Sequence, residues 1–173
     1  MTARLDFLKY VDAMPMQALT AVSAYVHESE IDPQLRTLID LRASQLNGCA
    51  YCIDMHTKDL LAMDAPLPRI YLLPAWRETA VYTPAERAAL AWTEAVTELP
   101  DGDSLERSYV ELTEHYSPRA ITQLTFAIIA INGWNRLNVA FGREPDDYRT
   151  GDLQPRFAQA LQRFDDLRPA ART

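Results

Sequence analysis

A chain of 173 residues, 48% apolar and 24% charged, has the size and composition of one soluble globular domain, which excludes a disordered chain, a collagen and a small disulfide scaffold. The net charge of −7 and a pI near 4.9 set an average surface field that repels phosphate, and no run of Lys and Arg offsets it. Nonspecific nucleic-acid or anionic-membrane binding is therefore not expected.

Glycine is scarce, 5 residues against 11 prolines, so the composition leans helical rather than towards hairpins. The first sixteen residues interleave Arg4, Asp6, Lys9 and Asp12 with apolar residues and hold no signal-peptide stretch. Phe126 to Ile131 is the longest apolar run, far below the ~20 residues that span a bilayer. A cytoplasmic protein is expected, and there two cysteines three apart, Cys49 and Cys52, point to redox or metal chemistry.

In chain order the elements are helices with proline at their starts. Pro15 to His27 carries Met16, Leu19, Val22 and Val26 at helical spacing. Asp32-Pro33 caps and opens a second helix with Leu35, Leu38, Ile39 and Leu46 on one face and Gly48 as its stop. A third runs from Cys49 to about Met63, and a short one is expected around Arg69 to Leu73 between prolines. Thr83-Pro84-Ala85-Glu86 is a capping box that opens a helix ending at Pro100. Ser104 is read as the next cap, before the stripe Leu105, Tyr109, Leu112 and Tyr116. Ser117-Pro118 opens the longest helix, which Gly142 closes. Phe157, Leu161, Phe164 and Leu167 predict a C-terminal amphipathic helix over about 153–168. The expectation is an all-α single domain spanning 1–173.

The chemistry lies in Cys49-Ala50-Tyr51-Cys52-Ile53-Asp54-Met55-His56. On a helix Cys52 is one turn from His56, and Cys49 and His56 lie within roughly 20° around the axis, so all three share a face. A helix start stabilises a thiolate, and His56 can take the Cys52 proton. A thiolate that attacks a peroxide becomes a sulfenic acid, which a second thiol condenses to a disulfide. Two other readings stand beside this one: a zinc site using Cys49, Cys52 and His56 with His27 or His115, and a pair of inert buried thiols.

The stretch Leu41 to Thr57, LRASQLNGCAYCIDMHT, together with Thr83 to Leu90 and Ile131-Asn132-Gly133-Trp134-Asn135-Arg136, resembles the carboxymuconolactone decarboxylase superfamily, and most closely its AhpD-like alkylhydroperoxidase branch. The likeness covers about residues 15–142. It implies an all-helical fold, a trimer or hexamer, and thiol-dependent reduction of a small-molecule hydroperoxide in antioxidant defence. No cofactor is implied beyond a redox-active Cys49–Cys52 disulfide, and no metal. A dithiol reductant such as a lipoyl or thioredoxin-like protein would restore the thiols. By the same resemblance Cys52 attacks, Cys49 resolves and His56 relays protons.

One position departs from the family pattern. The relay glutamate expected twelve residues before the first cysteine is Thr37, which cannot hold charge at neutral pH. Asp40 and Glu86 are the candidate substitutes, and Tyr51 could line the site or donate to a peroxide oxygen. Ser44, Gln45 and Asn47 could form the site mouth or simply end their helix. Asn132, Asn135 and Arg136 are read as a structural network, and Trp76, Trp92 and Trp134 as core or interface. A redox sensor or noncatalytic helical binding protein is the alternative function. A carboxymuconolactone-type decarboxylase fits less well, because it needs no paired cysteines.

Overall fold

A computed structural model describes residues 3–145 and 148–163. These residues form α1 (Ala13–His27), α2 (Pro33–Leu46), α3 (Ala50–Ala62), α4 (Leu67–Tyr71), α5 (Pro84–Glu98), α6 (Gly102–Thr113), α7 (Pro118–Phe141) and α8 (Gln154–Arg163), with short 3-10 turns at Phe7–Lys9 and Leu73–Glu78. No strand occurs among them, as the glycine-poor composition predicts.

Local chemistry sets the helix starts. Asp32 accepts the Leu35 amide, Ser117 accepts the Ala120 amide, and Thr83 and Glu86 form the expected reciprocal box. One start differs from expectation: α6 is capped by Asp101, which accepts both the amide and the hydroxyl of Ser104. The longer-reaching carboxylate starts the helix three residues earlier. The stretch after α4 also continues as the 3-10 turn Leu73–Glu78, which brings Trp76 inward. Phe164 and Leu167, the distal part of the expected last stripe, lie outside the described residues.

The α2 helix is central and packs against α3, α5 and α7, while α7 also packs against α1. Leu35 and Ile39 join Ala88, Trp92, Leu124 and Ile128 in one core. Leu38 and Leu41 face Leu60, Leu73, Trp76 and Leu90 in a second. A buried acid fastens these layers: Glu94 of α5 accepts from Arg42 of α2 at 2.7 Å and Trp76 at 2.8 Å, and pairs with Arg77. The α8 helix lies against α1, with Phe157 on the His27 ring at 4.4 Å. No helix among the described residues is long and apolar enough to cross a membrane.

Candidate active site

A single turn of chain both ends α2 and begins α3. Gly48 adopts φ +66°, a region that costs glycine nothing sterically. Its amide bonds to the Gln45 carbonyl, and the next amide, that of Cys49, bonds to the Ser44 carbonyl at 3.0 Å. This Schellman closure delivers Cys49 as the N-cap of α3, where its Sγ accepts the Cys52 amide at 3.4 Å. The conformation required of Gly48 thus fixes where the first sulfur sits.

The other end of the long helix holds the second sulfur. The α7 terminus closes on Gly142 at φ +66°, with the Arg143 amide on the Asn138 carbonyl. The Asn138 side-chain amide donates to Cys52 Sγ at 3.3 Å. Asn47 donates to Asn132 Oδ1 at 2.9 Å and to Asn135 Oδ1 at 3.0 Å, and Asn135 donates to Ser44 at 3.0 Å. The expected polar network therefore exists, and it ties α7 to the end of α2 that sets up Cys49. Asn47 and Ser44 belong to it rather than to the cavity wall.

Both thiols are free and buried, Cys49 at 1% and Cys52 at 0% exposure. Their environments push them apart. The Cys52 thiol, the Cys52 amide and the Asn135 and Asn138 amides bring Cys49 down to about 7 against the opposing effect of burial. The Cys49 contact, burial and the Cys49 charge drive Cys52 up. In the reduced pair Cys49 is the thiol that ionises more readily, and Cys52 is the one that keeps its proton.

A cavity of about 720 Å³ adjoins this pair. Cys52 lines it and Cys49 does not. Thr37, Asp40, Tyr51 and His56, all singled out from sequence, share its wall. Met16, Met55, Ile131 and Phe157 make much of the remainder apolar. Tyr51 is buried beneath the Arg143 guanidinium, 3.7 Å from its ring centroid. Glu86 does not line the cavity: its carboxylate is held by Thr83 and Arg69 at the start of α5. It is a structural cap. The Thr37 hydroxyl donates to the Pro33 carbonyl at 2.9 Å, so its proton is already committed.

His56 is 8% exposed, and its Nε2 has no hydrogen-bond partner. Burial, then the nearby His27 and Arg36, lower it to about 3, so it is neutral at physiological pH. Asp40 goes the other way, raised to about 7 by burial and the Asp59 charge despite Arg36. Its carboxyl thus stays protonated on folding between about pH 4 and 7, where the unfolded chain releases the proton. Stability is present below that window and falls as pH rises through it. Asp40→Asn, which does not titrate, should gain on the parent between pH 5 and pH 8, by on the order of 3 kcal/mol. Urea unfolding at both pH values measures this, and an equal difference at the two contradicts it.

Asp59, Asn138 and Arg36 carry no expectation from the sequence, and His27 carries one only as a zinc ligand. Asp59 stands three residues after His56 on the same helix, a readable spacing. Asn138 reaches Cys52 across 86 residues, which no local pattern reveals. His27, expected only as an alternative zinc ligand, lines the cavity. The expected zinc alternative has no supporting cluster: among the described residues no three His, Cys, Asp or Glu side chains are grouped to hold a metal ion.

The fold and site together define an all-helical protein with a buried dithiol beside an apolar cavity. The model of the carboxymuconolactone decarboxylase family matches residues 13–95. The uncharacterized protein YdfG of Bacillus subtilis (strain 168) is 39% identical over 137 residues, which is 78% of this chain and 93% of that protein. A protein of unknown function from Agrobacterium tumefaciens, described as a candidate antioxidant defence protein AhpD, superposes with a TM-score of 0.79 at 36% identity. That match covers 85% of this chain and all (100%) of the other. The debrominase Bmp8 shares the fold, with a TM-score of 0.62 at 21% identity over 84% of this chain and 74% of its own. The chain belongs to the carboxymuconolactone decarboxylase family, in its AhpD-like branch.

Proposed function

We propose that the protein is a thiol-dependent reductase of organic hydroperoxides. The observation that carries this reading is the pair of sulfurs at the start of α3, one bordering an apolar cavity that His56 also lines. A volume of about 720 Å³ suits an organic ligand rather than hydrogen peroxide.

Cys52 passes its proton to His56 Nε2, directly or through one water, and its sulfur attacks the terminal peroxide oxygen. The O–O bond breaks, Cys52 becomes a sulfenic acid, and the alkoxide leaves as alcohol with the proton from His56. The Cys49 thiolate then attacks the Cys52 sulfur, and hydroxide leaves as water with a solvent proton. With Cys52 pushed up and His56 lowered to about 3, the proton transfer between them is uphill, so it proceeds in concert with O–O cleavage and His56 hands the proton on to the alkoxide. A dithiol of the lipoyl class regenerates the thiols by exchange. The reading also carries a homo-oligomer. Exposed Phe126 and Ile129 on α7, with Tyr25 against Phe126, offer apolar surface for it.

Reduced protein given one equivalent of cumene hydroperoxide should lose two thiols per chain and gain one intramolecular disulfide. Dihydrolipoamide should then sustain turnover, with a higher kcat/KM for cumene hydroperoxide than for hydrogen peroxide. Thiols that survive the oxidant unchanged would remove the reading. One oxidation without turnover would favour the sensor alternative.

A further inference from the structure

The geometry points to Asp59 as the residue that positions His56, supplying from within α3 the carboxylate that α2 lacks at Thr37. This rests on the proposed role of His56 as proton carrier. Asp59 Oδ2 lies 3.8 Å from His56 Nδ1, on the opposite side of the ring from the unpartnered Nε2. Two hydroxyls hold the other carboxylate oxygen: Tyr148 donates to Oδ1 at 2.8 Å and Thr150 at 3.0 Å. The carboxylate is thus anchored on one oxygen, with the second turned to the imidazole. A carboxylate beside Nδ1 favours the tautomer that carries its hydrogen there, which leaves Nε2 as a bare acceptor. At 3.8 Å the contact is longer than a direct hydrogen bond, and such contacts in ligand-free sites tighten when substrate enters.

The surrounding charges agree with this assignment. Arg36 of α2 acts on both His56 and Asp59, His27 of α1 acts on His56, and Asp40 is coupled to Asp59. Arg36 and His27 both oppose a positive imidazolium. Asp59 is the acid within ion-pair distance of the ring, so it is the group able to offset them when the proton arrives. Tyr148 and Thr150 lie in the segment between α7 and α8 that also borders the cavity.

Asp59→Asn keeps the shape and can still accept from Tyr148 and Thr150, but it removes the charge and can present an amide N–H to Nδ1. We expect kcat for cumene hydroperoxide to fall by about 10- to 100-fold with KM nearly unchanged. The decisive measurement is nitrogen-15 NMR of the His56 ring. The parent should show a protonated Nδ1 and bare Nε2, and Asp59→Asn should move hydrogen onto Nε2. A tautomer identical in both proteins overturns the assignment, since a purely structural aspartate would leave it unmoved. Should Asp59→Asn fail to fold, Tyr148→Phe with Thr150→Val frees Oδ1 while keeping the carboxylate. A mixed tautomer is then expected, and an unchanged Nδ1–H signal overturns the proposal. If the parent reduces no hydroperoxide yet Asp59→Asn shifts the tautomer, the peroxidase reading fails and the positioning role stands.

Discussion

Cys52→Ser should lose hydroperoxide reduction by about 10³-fold or more, while Cys49→Ser should still consume one equivalent and then stop. The two serines remove the same kind of atom from places with different access. Cys52 borders the cavity, so a hydroxyl there meets the peroxide but cannot ionise at neutral pH. Cys49 is shielded from the cavity, so its loss leaves the first attack possible and strands Cys52 as sulfenic acid, which a 1,3-diketone reagent traps. Stability should not confuse the comparison, because serine is itself a good N-cap for α3. The opposite pattern, with Cys49→Ser inactive towards peroxide and Cys52→Ser trapped as sulfenic acid at Cys49, would give the attack to the sulfur that ionises more readily.

Glu94→Ala should destabilise the fold by about 3–5 kcal/mol, the range for removing one partner of a buried ion pair. Glu94 and the Arg42 side chain are 11% and 13% exposed, so the arginine left behind cannot regain its water. Trp76 Nε1 loses its acceptor as well, and the 3-10 turn loses its link to α5. Thermal unfolding should show a drop on the order of 10 °C. Burial works against ionising Glu94, but hydrogen bonds from Trp76, Arg77 and Arg42 and the Arg42 charge prevail and hold its carboxyl below the usual range. Its contribution is therefore present above the ordinary glutamate value and is lost as pH falls through the lowered one. The gap between parent and Glu94→Gln should narrow in acid. A constant gap would show that charge is not what Glu94 supplies.

What could be read from the chain alone follows from how local each signal is. Asp32-Pro33, the Thr83–Glu86 box and Ser117-Pro118 act within one turn, and each starts a helix where expected. The expected Ser104 start falls three residues late because Asp101 and Ser104 are both good caps, and the choice depends on which side chain reaches the free amides. At the site, the shared face of Cys52 and His56 is helical arithmetic and both reach the cavity. Whether Glu86 or Asp40 approaches it depends on how α5 and α2 pack, which Arg69 and the cores decide. Asn138 and Tyr148 come from distant chain, so their contacts with Cys52 and Asp59 needed three dimensions. Asp59 did not, for His56 and Asp59 share one turn of α3.

The near-complete burial of both sulfurs bears on how electrons would arrive under the proposed chemistry. A disulfide formed at the start of α3 has no face flush with the protein surface, Cys49 and Cys52 being 1% and 0% exposed. A donor whose thiol sits on a rigid domain surface meets the outside of α3 and stops short. A thiol at the end of a slender arm would have to enter by the cavity on the Cys52 side to make the mixed disulfide there. Under that chemistry the reductant would be selected by reach, and a slender dithiol arm would meet the depth of the sulfurs better than a thiol on a rigid domain surface.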